Sequence, residues 1–177
     1  MESACLNTVY IGLGTNKGDR IVNLRKAIEL ISKIENIEIK KASSIYETLP
    51  FGNTEQANFL NAVIKLCTSA NYSELFFQLK GIEKKLGRIQ SEKWGPREID
   101  LDILLFNNLI FSDEIITLPH KGLIYRDFVL VPLNEIEPGL VHPAFNKKIS
   151  DFIPELKTKN IIRKIAESIL LKENKFE

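Results

Sequence analysis

Two aspartates, Asp100 and Asp102, stand two residues apart in the stretch "KWGPREIDLDILLF" (Lys93–Phe106). Ile99, Leu101, Ile103 and Leu105 alternate with Asp100, Asp102, Leu104 and Phe106. Gly-Pro before this run and Asn-Asn after it bound a predicted β-strand. Residues two apart share a strand face, so the carboxylates stand roughly 7 Å apart along the chain. That face then turns apolar at Leu104 and Phe106. Burying an unpaired carboxylate costs several kcal/mol even after relaxation, and two neighbouring ones repel. A divalent cation relieves both costs. Oxygen-only donors favour Mg²⁺ over Zn²⁺, and two metals about 4 Å apart serve phosphoryl and nucleotidyl transfer. The structural alternative is that one aspartate pairs with a nearby cation such as Arg97 and the face is solvated.

Cations cluster just upstream. Arg88 follows Gly87 and Arg97 follows Pro96, with Lys84, Lys85 and Lys93 nearby. Guanidinium forks match phosphate oxygens in two-point geometry. Carboxylates beside arginines therefore point to a triphosphate site, in which metals take some oxygens and arginines the others. The alternative is a solvated basic loop. His120 follows Pro119 and has the chemistry to donate to a phosphate; His142 also sits beside a proline. A lone histidine is more often a surface or core residue, so neither weighs much alone. "GLGTNKGD" (Gly12–Asp19) lacks the Gly-Lys-Ser/Thr ending of a P-loop and the spacing of a dinucleotide loop. It reads as a strand end followed by a helix cap. Trp94, Phe59, Phe128 and Tyr46 are candidates to line a flat pocket for a planar heterocycle. Ordinary core is the alternative, and the preferred one for Tyr46. Asn61 shares its strand face with Phe59 and Val63, where burial demands hydrogen bonds. Its amide offers donor and acceptor together, as an amino-keto heterocycle edge requires.

The elements that must position these residues follow from periodicity. "TVYIGLG" (Thr8–Gly14) predicts a first strand. Asp19 precedes a helix whose stripe is Leu24, Ala27, Ile28 and Ile31. "IEIKKASSIYET" predicts a second strand and "NFLNAVIKLCT" (Asn58–Thr68) a third, separated by a break at Pro50 and Gly52. Ser73 is a candidate cap for a helix with the stripe Leu75, Leu79, Ile82 and Leu86, ending at Gly87. The aspartate strand comes next, with Leu109–Phe111 as a hairpin partner after Asn107-Asn108. The order β-α-β-β-α-β predicts an α+β protein with a ferredoxin-like βαββαβ core sheet and packed helices. Ile161, Ile165 and Ile169 recur at four-residue steps and predict an extra C-terminal helix over about 157–172.

The 177 residues predict one domain, with its core at about 8–153. A 44% hydrophobic content supplies a core, while a net charge of +1 gives no global pull toward nucleic acid or an anionic membrane. Local clusters must carry the electrostatics. Two cysteines, Cys5 and Cys67, show no metal-ligand spacing and predict no disulfide framework, which fits a reducing cytoplasm. The N-terminus lacks the pattern of a signal peptide, and no apolar run reaches the length of a membrane span. No internal repeat or low-complexity segment is evident.

"GRIQSEKWGPREIDLDILLF" closely resembles the signature of the 6-hydroxymethyl-7,8-dihydropterin pyrophosphokinases. "YIGLGTNKGD", "SSIYETLPFG", "FLNAV", "LPH" and "RDFVLVPLNEI" resemble that family's other stretches, in order, over roughly Val9 to Phe152. The resemblance implies transfer of a pyrophosphoryl group from ATP to the pterin hydroxymethyl oxygen, releasing AMP, in folate biosynthesis. It implies that Asp100 and Asp102 hold two Mg²⁺ ions, and that Arg88, Arg97 and His120 bind phosphates. Trp94 matches the loop that closes over the site, and Glu83, Ile103 and Thr117 match positions near the nucleotide. Phe59 and Phe128 match the rings that hold the pterin. Asn61 matches the residue on its polar edge, and Thr48, Phe51 and Gly52 complete that pocket. The chain departs from the pattern at Lys80, at Gln90 or Ser91, at Ile115 and at Lys121, and the loop before the aspartates is one residue shorter than in the best-known members. These departures touch the fine ATP contacts, not the aspartate pair.

The expected partners are ATP and 6-hydroxymethyl-7,8-dihydropterin, bound by a monomer, with no nucleic acid and no membrane. Two other readings compete. A generic two-metal nucleotidyl transferase or nuclease would also use paired aspartates and arginines. A nucleic-acid module on a ferredoxin-like sheet would need exposed aromatics and a basic stripe, and "TVYIGLG" offers little beyond Tyr10.

Overall fold

The computed structural model describes residues 5–52, 54–88 and 95–166. Its organising strand is Asn7–Thr15 (β1). Asp19 then caps the helix Arg20–Ser32 (α1), its side chain accepting from Val22 N at 3.0 Å. Leu24, Ala27, Ile28 and Ile31 are buried, as their spacing predicts. The expected second strand is two: Ile37–Ala42 (β2) and Ile45–Thr48 (β3). The break has a hydrogen-bonding cause. Val63 N donates to the Ser43 hydroxyl at 2.9 Å, and Ser44 N and Oγ turn to the Glu135 carboxylate. These serine side chains take over ladder bonds. Phe59–Thr68 (β4) follows, then the helix Tyr72–Lys85 (α2). Its cap is Asn71, which accepts from Glu74 N at 2.9 Å, rather than Ser73. Gly87, at φ 92°, ends that region.

Asp100–Phe106 (β5) is the aspartate strand. Phe111–Ser112 (β6) pairs with Thr117–Leu118 (β7), not with β5 as expected from sequence. Asp127–Ile136 (α3), Val141–His142 (β8), Lys147–Lys148 (β9) and Ile161–Ala166 (β10) complete the chain, with 3₁₀ turns at Leu123–Tyr125 and Ile149–Glu155. The main sheet runs β10-β3-β4-β1-β5, with β2 also paired to β4, and every pairing is antiparallel. Val9, Ile11 and Leu13 of β1 pack with the stripes of α1 and α2 on one face. Tyr10 joins Leu130, Leu133 and Ile136 of α3 on the other.

Three expectations are corrected. First, the register of β1 against β5 shifts between Tyr10 and Ile11, leaving Leu104 as an extra residue. Such a bulge reverses the alternation. Leu104 and Leu105 therefore both pack on the α3 side, and Phe106 joins the α1/α2 core instead of sharing a face with the aspartates. Secondly, residues 161–166 form a strand, not a helix, against β3. A four-residue step is also a multiple of two, so a regular strand satisfies it as readily as a helix stripe does; here the pairing also shifts register between Ile161 and Arg163 and between Lys164 and Ala166. β-Branched side chains and an open sheet edge decide the matter. The rest of the expected helix, Ile169 included, lies outside the described residues. Thirdly, Cys5 and Cys67 form a disulfide across 62 residues of sequence. The antiparallel register places Thr8 opposite Cys67 and brings the two Cα atoms to 5.2 Å.

Candidate active site

Asp100 and Asp102 open β5 on the face away from α1 and α2, while Leu101 and Ile103 between and beyond them are buried in the helix-side core. Arg88 donates to Asp100 Oδ1 at 2.7 Å, and Arg97 donates to Asp100 Oδ2. The structural alternative of an arginine partner is thus realised for Asp100 here. Asp102 has looser company: Lys80 Nζ and His120 Nε2 each lie 3.8 Å away, and its side chain is 35% exposed. The two carboxyls diverge in acidity. Burial pushes Asp100 up, but Arg97, Arg88 and Lys80 outweigh it and hold the carboxyl below the usual range. Burial, reinforced by the negative charge of Asp100, pushes Asp102 up. The corner thus holds one carboxylate already matched by arginines and one that lacks a close cationic partner.

His120 is held by its backbone N donating to Leu104 O at 2.9 Å, at the bulge. Its Nδ1 accepts from Gly122 N at 3.0 Å, which leaves Nε2 to carry the proton toward Asp102. Burial and the charge of Arg126 push the imidazole below its ordinary pKa, against the pull of Asp102.

Beside this corner lies a cavity of about 340 Å³ lined by Thr48, Phe51, Phe59, Asn61, Phe128, Arg97, Asp100, Asp102 and His120. Asn61 is buried and donates to Thr48 Oγ1 at 2.7 Å. The Phe51 and Phe128 rings lie 6.2 Å apart at 64°. Gly14 forms part of the floor, and a Cβ there would sit 2.9 Å from Asn61 Oδ1. A side chain at that position would displace the amide. Gly52 follows the lining residue Phe51 but does not itself line the cavity; it is exposed at φ 91°, a conformation glycine adopts without strain. A second cleft of about 220 Å³ is lined by Phe76, Ile103, Ile115, Thr117 and Lys121, and it shares Asp102 and His120 with the first. The shared pair is the junction of the two spaces.

Glu83 is not at either surface. Its side chain is 4% exposed, and Oε1 accepts from Leu101 N and Lys80 Nζ, both at 2.7 Å. Arg88 lies 2.5 Å from its other oxygen. Glu83 therefore braces β5 and two cations from below. Trp94, Gln90 and Ser91 lie outside the described residues, as does most of the loop expected to close over the site. Three participants were missed from sequence. Arg126 lines the larger cavity and sets its guanidinium 5.1 Å from the Phe51 ring centroid and 5.8 Å from that of Phe128. Its signal was its place at the head of "RDFVLVPL". Asn16 holds Arg97 in place: Asn16 N donates to Arg97 O at 3.0 Å, and Arg97 N donates to Asn16 Oδ1 at 2.8 Å. Lys80, noted only as a departure, bridges Glu83, Leu101 O and Asp102.

No group of three or more His, Cys, Asp or Glu side chains converges on one point among the described residues. A cation at this corner would meet two carboxylates, and its other positions would fall to water and a ligand's oxygens. That donor set fits Mg²⁺ bound with phosphates, not a closed Zn²⁺ site.

Comparisons with known proteins bear on the sequence and the fold. A protein of Aquifex aeolicus, 2-amino-4-hydroxy-6-hydroxymethyldihydropteridine pyrophosphokinase, is 47% identical over 148 residues, which cover 84% of this chain and 91% of that one. A Bacillus subtilis protein of the same name is 46% identical over 130 residues, 73% of this chain and 78% of that one. Among solved structures, wild-type HPPK-DHPS of Plasmodium falciparum with pteroate superposes with a TM-score of 0.67 at 17% identity, over 84% of this chain. This chain spans 42% of that longer one, and the likeness is one of fold. The model of the family 7,8-dihydro-6-hydroxymethylpterin-pyrophosphokinase (HPPK) matches residues 10–138, a span that contains the aspartate pair, both arginines and both walls of the cavity, and the chain belongs to that family.

Proposed function

We propose that the Asp100–Asp102 corner and its two adjoining spaces are the machinery by which this chain transfers a pyrophosphoryl group from ATP to 6-hydroxymethyl-7,8-dihydropterin, its family's reaction. The observation that carries the reading is the junction: Asp102 and His120 line both spaces. A triphosphate laid between them reaches an alcohol in the larger cavity. Asp100 and Asp102 would hold two Mg²⁺ ions. When bound, these ions would neutralise triphosphate charge and ease ionisation of the alcohol. Arg88, Arg97 and His120 donate to phosphate oxygens, with the arginines exchanging Asp100 for phosphate. Ile103 and Thr117 line the nucleotide space, and Glu83 supports it from beneath. Thr48, Phe51, Gly52, Phe59, Asn61 and Phe128 form the pterin pocket, with Asn61 on the polar edge of the heterocycle. Trp94 belongs to this proposal through its sequence match alone.

The proposal extends to a single domain acting as a cytoplasmic monomer on a ferredoxin-like frame, although the Cys5–Cys67 disulfide removes the support that location drew from the cysteines. In support of the frame, β2 and β3 share one lane beside β4, so the order reads second, third, first, fourth.

The test is AMP formation. With Mg²⁺ and ATP, AMP is expected only when the pterin is present. Asp100→Asn and Asp102→Asn are each expected to lower turnover by more than about a hundredfold, beyond the range typical of a metal's outer partners, with circular dichroism unchanged. Full turnover in either variant, or cleavage of nucleic acid instead of pterin-dependent AMP release, sinks the reading.

A further inference from the structure

Asp127 is 4% exposed at the start of α3. Its Oδ2 accepts from two backbone amides of the chain entering β10, Asn160 N at 2.6 Å and Ile161 N at 2.8 Å. Its Oδ1 accepts from Phe128 N at 2.8 Å. The same short stretch is bonded on its other side to the opposite wall of the cavity. Leu49 N donates to Asn160 O at 2.8 Å, and Ile161 lies opposite Thr48 in the β10–β3 register. Arg163 Nε donates to Glu47 Oε2 at 2.9 Å, and Arg20 reaches both Glu47 and Asn58 O, the residue before Phe59. Residues 160–163 thus link the neighbour of Phe128 to Thr48 and Leu49. The family model matches residues 10–138, so Asp127 lies inside the matched span and the stretch it fastens lies beyond it.

We propose that Asp127 is a positioning residue for the pterin pocket: its carboxylate fastens β10 across the back of the site and so sets the gap between Phe128 and the Thr48–Leu49 wall. This rests on the reading of that cavity as the pterin site. The physics favours a charged fastener. A carboxylate forms stronger bonds to amides than a neutral acceptor does, and the start of a helix favours its negative charge. Removing that charge leaves buried N–H groups poorly matched and lets the two walls move independently. The nucleotide space lies on the other side of Asp102 and has no tie to β10 among the described contacts.

The experiment compares the full chain with Asp127→Asn, and with Arg163→Ala, which loosens the same strand without touching α3. Affinities for the pterin and for a non-hydrolysable ATP analogue with Mg²⁺ are measured separately by calorimetry. Amide hydrogen exchange is followed at Asn160 and Ile161. Asp127→Asn is expected to weaken the pterin about tenfold, keep ATP-analogue affinity within about twofold, raise pterin KM more than it lowers kcat, and speed exchange at both amides. Arg163→Ala is expected to act in the same direction with a smaller effect. Fast exchange with unchanged pterin affinity overturns the proposal, as does unchanged exchange, or equal weakening of both ligands. If Asp127→Asn does not fold, Arg163→Ala decides by the same readings. Failure of the unaltered chain to bind pterin at all would instead strike the function proposed above.

Discussion

At the scale of single residues, the candidate site holds charges near one another: Asp100 between Arg88 and Arg97, Asp102 near Lys80 and His120. Arg97 contributes its guanidinium only if its backbone is fixed, and Asn16 fixes it with one bond in each direction. Asn16 is 5% exposed, and its Nδ2 also donates to Gln56 Oε1 at 3.0 Å and Ala57 O at 3.1 Å. Truncation to Asn16→Ala would leave several buried groups unmatched, at about 1–3 kcal/mol. The expected outcome is a lower urea midpoint and a slower turnover. The turnover loss should exceed that of a control substitution of equal destabilisation elsewhere in the core. Equal losses in the two would remove Asn16 from any positioning role. The type of residue at 16 was visible in "GLGTNKGD", but its partner lies 81 positions away, and no local pattern announces such a pair.

At the scale of elements, the packing of α3 on the sheet is set partly by a charge cluster at its end. Glu137 follows α3 and meets Lys65 of β4, Lys41 of β2 and the Tyr10 hydroxyl of β1. Its hydrogen bond with Lys65, and then the charges of Lys65 and Lys41, hold its carboxyl below the usual value of 4.5 against the effect of burial. A depressed carboxyl stabilises the fold above its unfolded pKa, and that stabilisation is lost as pH falls through the folded value. The stability gap between the unaltered chain and Glu137→Gln is therefore expected to be full at neutral pH and to close between about pH 5 and pH 3. Denaturant titrations at several pH values check this; a gap independent of pH would show the cluster to be inert. Elements with strong periodicity, such as α1 and α2, were legible in sequence. The break at Ser43–Ser44, the bulge at Leu104 and the strand β10 were not. Each depends on a partner strand or helix that the local sequence does not name.

At the scale of the whole molecule, folding and ligand binding are linked through the same corner. Asp100 has both oxygens engaged by Arg88 and Arg97, so a bare cation must compete with two guanidiniums. A triphosphate brings acceptors for those arginines and frees the carboxylate. Mg²⁺ alone is thus expected to leave the thermal midpoint nearly unchanged. Mg²⁺ with a non-hydrolysable ATP analogue at a hundred times its Kd should stabilise by about 2.7 kcal/mol. Scanning calorimetry in the two conditions measures the difference. Equal stabilisation by Mg²⁺ alone would show that the arginines do not guard the carboxylates.

The sequence by itself determined the chemistry on offer: carboxylates two apart on a strand, arginines before them, an amide among aromatic rings. Alternation and side-chain type are local properties, and physical chemistry reads them without knowledge of the fold. The tertiary structure alone decided which of these groups meet. It placed Glu83 beneath the site rather than at its surface, brought Arg126 over the rings, and joined Asp127 to a strand 34 residues away. Such contacts are settled by sheet register and by the need to satisfy every buried polar group, conditions that exist only once distant segments have packed.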